Sequence, residues 1–138
     1  MWYAITLEKK YADAILEGRK LMELRTRIPK GIGSKDYIVV CVKGTKGKIA
    51  CWFSIESVAA CSPLVMWQRN SHVLCIDKTD YDAYCKGHSV VYGLRIHAVY
   101  CTLMDLCVDD FGLAKAPQWF SVVNDYPERL LAGSIFRR

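Results

Sequence analysis

Between positions 19 and 27 the chain gathers Arg19, Lys20, Glu23, Arg25 and Arg27. A strand through this stretch alternates its side chains, so Glu23, Arg25 and Arg27 share one face while Met22 and Leu24 share the other. Arg19 and Lys20 fall at the bend before it. The surrounding cations favour the ionised form of Glu23 and leave positive charge over. An arginine fork can hold a phosphate or a base edge by two hydrogen bonds, and its plane can stack on a base. The same residues also fit a plainer alternative, a solvated strand face with ion pairs across the sheet.

Other chemical constellations are thin. His72, His88 and His97 are scattered, and His97 lies in the apolar run Val90–Tyr100, where a structural histidine is expected. Seven cysteines stand at 41, 51, 61, 75, 85, 101 and 107, with no C-x-x-C pair, and only Cys85 and His88 are spaced like half of a zinc site. Buried free thiols in a reducing compartment are the expectation. The chain has no P-loop, no glycine fingerprint after a strand and no metal-ligand cluster, so no cofactor and no metal are expected.

The bulk numbers set the scale. A chain of 138 residues suits one domain with one core, taken here as residues 1–138. With 52% hydrophobic and 24% charged residues, it can fold without help from a metal. The net charge of +5, from 19 Lys and Arg against 14 Asp and Glu, suits a polyanion met at one patch rather than a long track of phosphates. Ordinary solubility charge explains the same number. Met1–Leu7 begins apolar, but Glu8, Lys9 and Lys10 end the run before a signal core forms. No stretch approaches the roughly 18 apolar residues of a membrane span. A soluble, cytoplasmic protein that meets no membrane is the expectation.

The elements that must position the charged cluster follow from the pattern. Trp2–Leu7 predicts a strand, Glu8–Glu17 a helix stopped by Gly18, and Leu21–Arg27 a second strand. Pro29, Gly31 and Gly33 mark a loop. Tyr37–Lys43 and Lys48–Ser57 predict two strands joined through a hairpin-like Gly44–Gly47. Ser62 and Pro63 open a short helix over Leu64–Trp67. Thr79–Lys86 predicts another, capped by Thr79 and stopped by Gly87, with Asp80 stabilising its N-terminus. Ser89–Tyr100 predicts a long strand, and Trp119–Val123 a last one. Short helices without regular β-α-β alternation argue for an α+β fold on a mixed or antiparallel barrel of five to six strands.

The order Lys10-Tyr11-Ala12, then Ile15, Gly18, Lys20, and Glu23-Leu24-Arg25 with Arg27, resembles the signature of the ASCH (activating-signal-cointegrator homology) domain. Gly31–Val42, Lys48–Val58, Tyr84–Ile96 and Ala116–Val122 resemble its later segments in order. The resemblance runs from Trp2 to about Val123; Trp119 stands where the family usually has Ser, and 124–138 has no clear counterpart. It implies a PUA-like β-barrel with flanking helices. It also implies a cleft, lined by this strand face, that binds single-stranded RNA or a nucleotide, with Lys20, Glu23 and Arg25 on signature positions and Arg19 and Arg27 beside them.

The chain holds 4 Trp, 8 Tyr and 4 Phe, and bases of single strands are held by aromatic stacking. The resemblance puts Trp119 in a cleft-closing turn and Trp67 near the same opening, though either could serve as core. Some family members hydrolyse small acylated cytidines and others have been ascribed ribonuclease activity. In the amidohydrolase type Lys20 would be the base, but Glu23 replaces the nucleophilic Thr, and a lysine-paired carboxylate is a weak base near neutrality. Asp77, Asp80 and Asp82 are the acidic residues nearest its remaining Glu, and none matches a motif. A binding module, of a kind that serves RNA-linked or transcriptional regulation, is therefore the leading expectation, and a hydrolase using Lys20 and Glu23 the second. A protein partner docking on 124–138 is a third.

Overall fold

Strand β1 (Trp2–Leu7) pairs with parallel strand β3 (Tyr37–Val42) on one edge and antiparallel β6 (Ser121–Val123) on the other, and both of its faces are buried, Ile5 beneath Ala12 and Ile15 and Ala4 beneath Val108 and Phe111. Two-sided burial explains why β1 and β3 read as apolar runs rather than alternations. The structure is a computed structural model that describes residues 1–101 and 104–124, and the backbone of 135–136. A parallel pair needs a crossover. Helix α1 (Lys9–Leu16) and strand β2 (Met22–Arg25) lie within that connection. The sheet continues through β4 (Ile49–Cys61) and β5 (Val91–Cys101), in the order β2-β5-β4-β3-β1-β6. A two-residue strand β7 (Ile135–Phe136) joins β5 at Tyr100 and Cys101. Helices α2 (Pro63–Leu74) and α3 (Lys78–Cys85) complete an α+β architecture on a mixed sheet.

Three apolar clusters hold it together. One face of the central strands packs Ile5, Val40, Phe53 and Ile96 against Ala12 and Ile15 of α1. The other packs Ala4, Val39 and Trp52 under Val108 and Phe111 of a short 3₁₀ turn. The third joins Met22 and Leu24 of β2 to α2 and α3. Burial in the sheet pushes the Cys41 and Cys51 thiols up to about 12, in keeping with inert core residues. None of the described cysteines forms a disulfide.

Several element ends move. Strand β4 runs to Cys61, past the expected end at Ser57. Register shifts at Phe53/Ile55 and Ile55/Ser57 let it bend and carry on past its exposed Glu56 and Ser57. Helix α2 starts as expected, with the Ser62 hydroxyl accepting from the Val65 N–H at 3.2 Å, but it runs to Leu74 rather than stopping at Trp67. Its buried Met66, Asn70, Val73 and Leu74 keep helical spacing, a signal that the apolar start alone obscured. Helix α3 begins after Asp77, so Thr79 is not its cap, while Asp80 does sit in its first turn. His97 is exposed on β5, alternation turning it outward beside Glu56 at 3.9 Å, and is not a core histidine. Beyond Asn124 only β7 is described, and the rest of the segment expected to dock a partner lies outside the described residues. Among the described residues no helix is long and apolar enough to cross a membrane.

Candidate functional site

The site begins where α1 stops. Gly18 takes φ +77°, a left-handed conformation that glycine adopts without a Cβ penalty, and the chain turns back on the helix. The backbone N–H groups of both Arg19 and Lys20 then donate to the Ala14 carbonyl at 3.0 Å. Leu21 donates to Val73 O at 2.9 Å and accepts from the Ile96 N–H at 2.9 Å, which pins the turn between α2 and β5. Lys20 is thereby aimed into the protein, not along its surface.

Inside, the Lys20 ammonium donates to the carbonyl of Leu74 at 2.8 Å and lies 3.4 Å from Glu23 Oε1. Leu74 is the last residue of α2, whose terminal carbonyls lack helical partners and carry the negative end of the helix dipole. On the other side Arg25 Nε donates to Glu23 Oε2 at 2.8 Å. Lys20 and Glu23 are each only 4% exposed, so this is a buried cation–carboxylate–cation chain and not a solvated strand face. Each charge needs the others, because an unpaired buried ion would be strongly destabilising. Lys20 also lies 5.3 Å from the centre of the Tyr11 ring, and Arg25 lies 5.2 Å from that of Phe120.

The chain forms the floor of a cavity of about 610 Å³. Tyr11 and Tyr84 supply aromatic surface, Leu7, Leu24, Leu74 and Ile76 supply aliphatic surface, and Lys10, Lys43, Glu8 and Asp80 supply further charge. Four cations face three carboxylates, so the lining is nearly balanced and carries a single net positive charge. Burial pushes the Tyr11 phenol up, with Lys10 pulling the other way, so it remains a neutral ring and hydroxyl donor at physiological pH. A planar ligand can stack here and meet both donors and an acceptor at the floor.

The remaining site candidates divide. Arg27 stacks on Trp119 at 4.4 Å, and Trp119 Nε1 donates to Arg27 O at 3.3 Å. Trp119 meets Phe120 edge-on at 5.3 Å, so Arg25, Phe120, Trp119 and Arg27 form one ladder leading outward from the cavity floor. Arg19 turns away and pairs with Glu17 at 3.2 Å in the open. Trp67 packs on Tyr81 at 4.8 Å within the third cluster, with Lys78 over its ring. The three histidines are exposed and line neither of the two cavities described here. Among the described residues one metal-type group is found, Cys107 with Asp109 and Asp110, and these bond to each other at the 3₁₀ turn.

Sequence reasoning did not select Tyr11, Lys43 or Tyr84. Tyr11 stood inside the quoted motif, but an aromatic residue on a helix beside apolar neighbours reads as packing unless the cavity it faces is known. Lys43 and Tyr84 reach the cavity from distant elements, and no local spacing signals that.

Among curated proteins none matches. The fold is similar to the crystal structure of ASCH from Zymomonas mobilis, with TM-score 0.81, 17% identity, and coverage of 97% of this chain and 96% of that one. A ZmASCH mutant from the same organism matches with TM-score 0.81 and 16% identity over 97% and 96% of the two chains. The hypothetical protein PH0355 is more distant, with TM-score 0.52 and 16% identity over 70% of this chain and 96% of that one. The ASCH domain itself matches residues 5–104, the stretch that holds the Lys20–Glu23–Arg25 chain and all the lining residues described for its cavity, and on that match this chain belongs to the ASCH domain family.

Proposed function

We propose that this protein binds RNA or a nucleotide by taking one nucleoside unit into the cavity above Glu23. The observation that carries the reading is the buried Lys20–Glu23–Arg25 chain at the floor of a cavity with tyrosine walls. A cavity of about 610 Å³ is within the range for small-molecule sites. Lys20 donates to Leu74 O and is ion-paired with Glu23, so its ammonium keeps a donor for a ligand, and the Glu23 oxygens have lone pairs to accept from an amino or imino group. Tyr11 and Tyr84 give a base a face to stack on, and such stacking is worth about 1–3 kcal/mol per base. The Arg27–Trp119 pair offers a platform for a neighbouring base.

The test is titration calorimetry with the four ribonucleosides and a short RNA. Arg25→Ala should weaken binding on the order of tenfold, the worth of a hydrogen bond to a charged group. It should stay folded, because Glu23 keeps Lys20 as its counter-ion. Equal affinity of variant and parent would sink the reading.

A hydrolase is the second reading, and one observation favours it: Asp80 lines the same cavity as Lys20. A lysine and a second carboxylate around one ligand are what the acyl-cytidine chemistry of the family's hydrolases would use. Incubation with acylated cytidines, beside Lys20→Ala, decides it. Turnover that is absent in the parent, or undiminished in the variant, removes it.

A further inference from the structure

A second groove of about 640 Å³ adjoins the first cavity, and the two share Thr6 and Lys43 in their linings. Among the described residues that line it the charged ones are Lys43, Lys46 and Lys115, and none is a carboxylate. The excess charge that the first cavity lacks is thus concentrated next door. The groove is also built. Gly47 takes φ +84° and sits so close to the 3₁₀ turn that a Cβ would come within 2.6 Å of Val108 Cγ2. Thr45 closes the loop, donating to Val42 O at 2.6 Å and accepting from the Lys48 N–H at 3.2 Å. On the far side the Thr6 hydroxyl donates to Pro117 O at 2.7 Å, which ties the segment carrying Lys115 to β1.

We infer that this lysine groove holds phosphate groups of the molecule whose nucleoside occupies the first cavity, so that the ligand is a phosphorylated nucleotide or an RNA strand rather than a free nucleoside. The inference rests on the nucleoside reading of the first cavity. Division of labour follows from charge. A nearly balanced cavity that carries two tyrosines suits a neutral base and sugar, whereas lysines without a carboxylate beside them suit phosphates, which ammonium groups bind as point charges. Lys43 stands at the junction and faces both.

The experiment compares the parent with a Lys46→Asn, Lys115→Gln double variant, which leaves the first cavity's lining intact. Asparagine is chosen at 46 because the backbone there has φ +59°, which it tolerates. Probes are the four ribonucleosides, their 5′-triphosphates and homopolymeric four-nucleotide RNAs, each titrated at several salt concentrations. Phosphorylated probes should bind the parent more tightly than nucleosides do. The double variant should lose that advantage, with the salt slope of RNA binding falling by about 1.4 for two single-strand phosphate contacts. Its nucleoside affinity should not change. A gain with triphosphates and RNA alike marks a phosphate tail, and a gain with RNA only marks a strand. Equal affinities and salt slopes in variant and parent overturn the inference and leave the nucleoside reading standing. If nucleosides fail to bind while RNA binding still depends on Lys46 and Lys115, the groove stands and the reading of the first cavity is what fails.

Discussion

The two adjoining cavities use cations in opposite ways. In the first, Lys20 and Arg25 are spent on each other's neighbour: both bind Glu23, and Lys20 also closes the end of α2. In the second, Lys43, Lys46 and Lys115 are exposed, and among the described residues no carboxylate joins them in the lining. Buried cations are part of the fold and would meet a ligand by shape and hydrogen bonding. Exposed ones leave the fold alone and would meet a ligand through charge. A basic residue thus says little about function until its burial is known.

That contrast can be broken most directly at Glu23. Glu23→Ala leaves buried Lys20 and partly buried Arg25 without their counter-ion, and should cost about 3–5 kcal/mol in urea or thermal unfolding. An unshifted urea midpoint would mean the chain is solvated after all. Next in size is Gly47→Ala, which combines a positive φ with a clash against Val108. A loss of about 1–3 kcal/mol is expected, together with weaker binding of phosphorylated probes, if the groove's wall depends on this close approach.

Alkaline pH tests burial in the central strands β3 and β4. The folded Cys41 and Cys51 thiols titrate near 12, above their unfolded value of 9.0. A raised acid binds its proton more tightly when folded, so the stabilisation is complete below pH 9 and is lost as pH rises towards 12. Urea midpoints should fall over that window, and less steeply in a Cys51→Ala variant compared with its own value at pH 8. A flat profile would show that these thiols are hydrated. The smallest effect is expected for Lys46→Asn with Lys115→Gln, within about 0.5 kcal/mol of the parent's stability. A larger loss would show that the exposed lysines are structural and would erase the distinction between the cavities.

Much of the frame was legible. Alternation, helix stops and the Ser62-Pro63 start located the elements, because these signals are local. The motif from Lys10 to Arg27 marked three residues of the cavity floor, since helix, glycine stop and strand are consecutive in the chain. The length of α2 was missed because Asn70 and the flanking polar residues broke its apolar pattern, and with it went the partner of Lys20, the Leu74 carbonyl. Trp67 and Trp119 looked alike in the chain, yet one packs against Tyr81 and the other stacks under Arg27. Aromatic type does not encode which side of a helix or turn will be covered.

By itself the amino-acid order determined the class of fold, the family signature and the clustering of Lys20, Glu23 and Arg25, all of which depend on neighbours within about one turn or one strand. Only the folded chain decided that Glu23 is buried between its cations, that Tyr11, Lys43 and Tyr84 meet around it, and that the uncompensated lysines gather in a separate groove. Those outcomes depend on crossovers and helix ends that join residues tens of positions apart, and burial, which sets what a charge can do, exists only once they have met.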